Sequence, residues 1–539
     1  MKLRPKWSGW TLVGLAALAF LVLFLLWPSL RLTASSLLAG GAYTRFFSRA
    51  YYYRALLNSL WLSVAATAGS VLLGVPLAVL VARYAVPGKA FIRACALLSL
   101  LSPPFIGAYS WVLLLGRAGF LTKSLGLTGF SIYGSGGVLL IFILHHFAYV
   151  FLLTEAALRR IDPALEEAAE SMGSSPLKRL MTVTLPLAFP SIAAGALLVF
   201  TSTLADFGTP MLIGEGMRTL PVLAYSEYLS ELGGNAGMAS AISVIMLVIA
   251  FAALGLQAWA VGGRSYAMQT VRRPVVRPLV AEVRWSLAAA ACLVAGVAAL
   301  PQLVVLVTSF LRTRGPLFTG EFGLDNYRIL ADRMARPIAN TLLYAGTATA
   351  IMLVGGLLVG YLLIRRPGTI SRMVDGLLIL AQVLPGTVLG VGLIMAWGRP
   401  PLALTGTGAI LIIAYIVRRI AFTVRAAAAG LRQLSPSLEE ASLTLGATPA
   451  RTFLRITVPL LMPAAVSGAL VSWVSTLSEL SSTIMLVTGR TATVSVQIYN
   501  QVLTDSFGTA AALGTVLMGL TLLSLVFISR MGDGAEFRW

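Results

Sequence analysis

Twelve apolar runs, at 10–31, 56–82, 94–116, 135–158, 187–207, 237–261, 286–308, 339–364, 374–397, 404–424, 460–478 and 507–528, divide this 539-residue sequence. Each is near the ~20 residues that a helix needs to cross the hydrocarbon core of a bilayer. Lipid offers the backbone no hydrogen-bonding partners, so a spanning segment has to pair its own N–H and C=O groups. Only 11% of the residues are charged, against about 25% in a soluble domain. The sequence therefore predicts an all-α, polytopic membrane protein with about twelve transmembrane helices. The amino terminus, "MKLRPKWSGWTLVGLAALAFLVLFLLWPSL", has a basic head, a run long enough to span and no convincing small-residue cleavage site. It predicts a retained first helix.

The formal charge of +20 does not point to nucleic acid, because the basic residues cluster between apolar runs rather than along one face. With the amino terminus in the cytoplasm, 26 of the 40 Lys and Arg fall in inside segments and 14 outside. The inside set includes Lys2, Arg4, Lys6, Arg83, Arg159, Arg160, Arg365, Arg366, Arg418, Arg419 and Arg432. The positive-inside rule then places both termini in the cytoplasm of a multi-pass protein. Cys95 and Cys292 are too few and too far apart in sequence for a disulfide framework or a CxxC metal site.

The chain repeats itself. "EEAAESMGSSPLKRLMTVTLPL" from Glu166 and "EEASLTLGATPARTFLRITVPL" from Glu439 share eight of 22 positions at an offset of 439 − 166 = 273 residues. Pro163/Pro436, Pro190/Pro463 and Gly195/Gly468 keep that offset, while Asn58/Asn340 and Pro103/Pro385 are 282 apart. Two six-helix halves related by an axis along the membrane normal follow from such a repeat. The halves are residues 1–262 and 286–539, joined by a cytoplasmic linker at 263–285. Gly356/Gly360 and Gly386/Gly390 read as small-residue contacts between closely packed helices.

Each copy of the polar sequence follows a run that ends in basic residues. Pro163 and Pro436 suit a first helical turn, and Glu166, Glu167, Glu439 and Glu440 lie where the helix dipole favours acids. Gly173 and Gly446 suit a left-handed helix end, and Pro176 and Pro449 suit the start of another short helix. The expected product is a helix-turn-helix outside the bilayer, with an acidic lip and small residues at its centre. It suits insertion into a groove on another protein. A solvated connector would explain one copy, but two matched copies weaken that reading.

These two segments resemble the cytoplasmic coupling motif of the permease subunits of binding-protein-dependent ABC importers, and nearly the whole chain resembles two such permeases fused. The resemblance implies a type I importer fold with coupling loops at 159–186 and 425–459. It also implies that Glu166, Glu167, Ala168 and Gly173, with Glu439, Glu440, Ala441 and Gly446, dock onto two cytoplasmic ABC ATPase subunits. Ser442 stands where the motif has a second alanine. The chain is expected to be no enzyme and to hold no cofactor or metal of its own. It has no GxxxxGK[ST] phosphate loop, since "VPGKAF" at Val86 lacks the first glycine and the hydroxyl residue. ATP and magnesium would belong to the partner ATPases. The remaining expected partners are an external or periplasmic substrate-binding protein and the lipid of a bacterial inner membrane.

Asp206 and Glu479 are also 273 residues apart, in "TLADFGTPMLIG" and "TLSELSSTIMLV". An acid at or near the end of a spanning helix is a functional candidate. Two readings stand: an acidic gate for a cationic substrate, joined by the hydroxyls of Ser478, Ser481, Ser482 and Thr483, or a hydrated cap at the outer interface. The same stretches resemble fused permeases of iron(III) importers, whose relatives carry thiamine, polyamines, phosphonates or phosphate esters. His145 and His146, about 100° apart on a helix, read as a packed pair rather than a chelate. An ion-gradient-driven carrier would explain the helix count and the repeat but not the duplicated motif. A membrane enzyme would need a convergent polar constellation that is not found.

Overall fold

The computed structural model of the protein describes residues 9–101, 103–117, 119–124, 126, 131–229, 234–262, 276–314 and 317–531. Residues 263–275 of the expected linker lie outside them. Beyond that gap, helix Ala281–Ser309 already begins inside the expected linker. The described residues are almost wholly helical, with one antiparallel hairpin, Leu311–Arg314 with Leu317–Phe322.

Ten helices among the described residues are long and apolar enough to cross a membrane. They include Gly9–Leu38, Ala50–Arg83, Ser135–Leu158, Pro176–Ala205, Ala335–Arg365 and Pro449–Leu477. An eleventh crossing is broken: Thr369–Val383 and Gly386–Trp397 meet at 114°. Pro385 caps the second piece and Pro103 caps its counterpart, Pro104–Leu115, which fits a residue with no N–H to donate. The run expected at 404–424 lies in helix Gly408–Gln433. Arg418, Arg419 and Arg425 inside that helix set it apart from the apolar spans, and this corrects the expectation of twelve similar runs. Many large side chains left exposed on the long helices are apolar, among them Leu72, Val248, Leu293 and Leu523. A lipid solvent allows that, whereas water would penalise so continuous a surface.

The halves interlock. The first helix packs on the second half: Trp10 stacks on Tyr361 at 4.3 Å and meets Phe453 edge-on at 4.9 Å. Further along the same helix, Trp397 Nε1 donates to the Leu23 carbonyl at 3.1 Å. In return, helix 281–309 buries Ala291, Ala295, Ala298 and Ala299 in the core of the first half, with Ile92 and Ala96. The largest core cluster spans the seam and contains Leu25, Phe105 and Phe207 with Leu384, Leu480 and Tyr499.

Close helix packing relies on missing side chains. A Cβ on Gly356 would lie 2.4 Å from Thr423 Cγ2, and one on Gly360 would lie 2.8 Å from Ala427 Cβ. Gly390 is pressed in the same way against Met485. These contacts bear out the small-residue reading and hold helix 335–365 against helix 408–433. Gly356→Val should therefore overpack this contact and cost about 1–3 kcal/mol. Gly368→Ala, where nothing lies within 4 Å, serves as the control. Thermal unfolding of the purified protein checks this, and equal midpoints for the two variants would contradict it.

Candidate functional site

The polar repeats fold as helix-turn-helix elements in both halves. Helix Pro163–Ser171 opens with Pro163 behind an Asp162 cap that accepts from Ala164 N. Helix Ser437–Thr444 opens one residue after Pro436, so that proline sits at the cap position rather than within the first turn. Each helix ends at a left-handed glycine, Gly173 at φ +78° and Gly446 at φ +85°. Ser174 N closes onto the Ala169 carbonyl at 3.0 Å and Ala447 N onto the Ser442 carbonyl at 3.1 Å. Pro176 and Pro449 then start one-turn helices capped by Ser175 and Thr448. A π-helical turn follows in each half, Leu180–Thr184 and Phe453–Thr457.

The expected acidic lip needs correction. Of the two glutamate pairs, only Glu167 and Glu440 are exposed, along with Ala168, Ala441, Gly173 and Gly446, while Glu170, exposed as well, pairs with Arg179 and Arg277. The first glutamate of each pair turns inward. Glu166 is buried, 2.8 Å from Arg83 Nη2, and accepts from Thr184 Oγ1 at 2.8 Å. Glu439 meets Arg365 Nε at 3.3 Å and accepts from Tyr361 Oη at 3.2 Å and Thr457 Oγ1 at 3.4 Å. Arg83 and Arg365 end the long helices 50–83 and 335–365, and the two threonines lie in the π turns. The same lock is thus built twice, and it fastens each polar helix to the end of its own half's longest helix.

Beside the acids that stay exposed, large apolar side chains project as well. Met172 is 82% exposed and Leu445 is 89% exposed, while Leu165 and Leu438 stand exposed at the other end of each helix. Both pairs keep the 273-residue offset. Sequence reasoning missed them because attention fell on the acids. Repeat-matched large apolar residues in an otherwise polar segment were the available signal.

The second candidate site lies at the seam. Glu479 is buried and paired with both Arg418 and Arg419, the latter at 2.6 Å. It also accepts from Ser482 N and Ser482 Oγ, each at 3.2 Å. Arg418 stands about 15 Å along its helix, counting ten residues at 1.5 Å each, so these arginines are not loop residues as the orientation count had them. Asp206 follows helix Leu185–Ala205 and accepts from Thr209 N at 2.8 Å. It has no cationic partner among the described residues. Both acids therefore cap the turn that follows them. Glu479, however, is buried and charge-neutralised, which corrects both the hydrated-interface reading and the simple acidic gate.

Ser481 Oγ reaches across the seam to the Ala205 carbonyl at 3.3 Å. Thr483 Oγ1 lies 2.9 Å from Tyr415 Oη and is buried with Ser482, while Ser478 is half-buried. His145 and His146 occupy the repeat positions of Arg418 and Arg419. Their rings meet at 4.9 Å, and His146 also packs on Phe142 and Tyr149, as expected of a packed pair.

Comparison with known proteins agrees with the doubled architecture. The family model for the binding-protein-dependent transport system inner membrane component matches twice, at residues 74–263 and 352–531. A ferric transport system permease protein, FbpB, of Actinobacillus pleuropneumoniae is 28% identical over 95% of this chain and 77% of its own length. The Fe(3+)-transport system permease protein FbpB 2 of Haemophilus influenzae is 23% identical over 86% of this chain and 87% of its own. The molybdenum transport system permease protein ModB of Escherichia coli is 30% identical over 38% of this chain and 92% of its own, so it corresponds to a single half.

The two acids should respond differently to neutralisation. Glu479→Gln leaves two arginines without their counter-charge and should cost about 3–5 kcal/mol. Asp206→Asn keeps a capping oxygen and should cost under about 1 kcal/mol. Unfolding midpoints in detergent measure both, and a Glu479→Gln protein as stable as Asp206→Asn would contradict the neutralised-cluster assignment.

Proposed function

The chain belongs to the inner membrane components of binding-protein-dependent transport systems and carries the family's domain twice, and from that membership we propose that it forms the complete gated path of an ATP-driven importer for iron(III). Being a multi-pass ABC importer permease, it is a transporter membrane subunit rather than an enzyme. In this reading the polar helices face the cytoplasm, with both termini on that side. Helices 163–171 and 437–444 each dock onto one of two ATPase subunits, and an external binding protein delivers the cargo at the opposite face.

The observation that carries the coupling role is the doubled lock. A helix that projects Met172 or Leu445 into a partner is tied through Glu166 to Arg83, or through Glu439 to Arg365. ATP-driven closure of the partners would draw the two polar helices together. An ion pair backed by threonine hydrogen bonds, buried in the first half and half-buried in the second, gives that pull a stiff attachment to helices 50–83 and 335–365. Helix 335–365 packs through Gly356 and Gly360 on helix 408–433, which carries Arg418 and Arg419 to Glu479. Motion at the docking helices thereby reaches the seam, and alternating access follows from rocking of the halves.

For cargo, support comes from the relatives named for ferric transport. Of the two seam acids, Asp206 is the one with no cationic partner among the described residues, so it is the carboxylate placed to meet a passing cation. Thiamine, polyamines, phosphonates and phosphate esters remain the alternative cargoes of the same permease role.

Met172→Glu and Leu445→Glu alter side chains that contribute little to the fold. Each should abolish uptake and weaken ATPase copurification while the chain stays inserted at normal levels. Full uptake in both variants would contradict the docking role. Labelled iron(III) uptake by iron-starved cells, run beside thiamine, spermidine and a phosphonate, tests the cargo. Iron uptake should fall on deletion and in Asp206→Asn, and loss of an organic label alone would replace iron with that compound.

A further inference from the structure

The repeat exposes a difference between the halves at the end that bears the polar helices. In the first half, Glu155 lies buried between two arginines: Arg93 Nη2 and Arg159 Nη2 each approach its Oε1 at 2.8 Å. The repeat partner of Glu155 is Ala428, since 155 + 273 = 428, and the partner of Arg159 is Arg432. The second half therefore keeps a cation at Arg432 but moves the carboxylate to the facing helix, where Asp375 stands at the repeat position of Arg93, since 93 + 282 = 375.

A cavity of about 440 Å³ opens at that place, lined by Gly368, Arg372, Asp375, Arg425, Ala428 and Arg432 among others. This volume lies within the range of small-ligand sites. Asp375 is engaged by Arg425 Nη1 at 2.7 Å. Arg372 and Arg432 form no ion pair among the described residues. The lining thus carries three arginines against one carboxylate, and the side chain that would fill the gap in the other half is reduced to a methyl group. Guanidinium groups bind phosphate oxygens through paired N–H donors, and basic pockets between membrane helices suit lipid headgroups.

We propose that this cavity is a phosphate-binding site, in which a phosphate group is held by Arg372 and Arg432, the two lining arginines that Asp375 does not pair. That phosphate is carried either by the headgroup of an anionic phospholipid or by a free phosphate. Assigning a lipid source to the cytoplasmic leaflet rests on the orientation proposed above, whereas binding in detergent solution does not depend on it.

The test uses the full-length chain in a neutral detergent, titrated calorimetrically with dihexanoyl phosphatidylglycerol, dihexanoyl phosphatidylcholine or inorganic phosphate. Saturable one-to-one binding of phosphatidylglycerol without phosphatidylcholine supports the site with a lipid source. Equal binding of inorganic phosphate supports it with a soluble source. In either case, Arg372→Gln combined with Arg432→Gln should weaken binding at least tenfold. Ala428→Glu, which supplies the first half's carboxylate, should do the same with all arginines retained. Saturable binding of neither phosphate probe, or binding unchanged in the double glutamine variant, would overturn the proposal.

Discussion

A carboxylate–arginine pair, buried in the first half and half-buried in the second, is the interaction on which the rest of this architecture turns. Moving either charge out of water is expensive, and mutual attraction repays that cost only when geometry and further hydrogen bonds are good. Glu166 gains a 2.8 Å ion pair with Arg83 and a hydrogen bond from Thr184, although Arg83 Nε stays buried without a hydrogen-bond partner, and Glu439 is held by Arg365, Tyr361 and Thr457. The threonines come from π turns, where the extra residue swings a hydroxyl toward the glutamate. π turns of this sort recur at functional positions. In the coupling role proposed above, these pairs are what would let each polar helix pass on a directed pull rather than hang from two short connections.

The interlocked first helices give that pull something to act on. Because helix 9–38 seals the second half and helix 281–309 seals the first, neither half has a complete apolar surface alone. Within the second half, Gly356 and Gly360 make the packing tight, while at the seam Ser481 Oγ donates to the Ala205 carbonyl.

Much of this was legible in the sequence, for reasons that can be assigned. Spanning runs are a demand of the bilayer, and the repeat makes every feature visible twice. Left-handed ends at Gly173 and Gly446 follow from the one residue type that tolerates that backbone. The inward turn of Glu166 and Glu439 was not legible, because a glutamate in a first helical turn satisfies the dipole whether it faces solvent or the protein. Arg418 and Arg419 were read as loop residues because charge within a span is rare. Only the fold shows that Glu479, 60 residues later, pays for them. The traded first helices were also hidden, since a repeat reveals order along the chain and not which copy packs on which.

The halves are not equivalent at their centre, and that explains what a single chain provides. Arg418, Arg419 and Glu479 stand in one half where His145, His146 and Asp206 stand in the other. Two identical copies of the second half would bring four arginines and two glutamates to one seam, and two excess charges in low dielectric would be strongly unfavourable. Two copies of the first half would leave two acids with no arginine on either side. Joining the halves in one polypeptide guarantees the mixed pair at one-to-one stoichiometry, so each half can keep a residue set that its own duplicate could not tolerate.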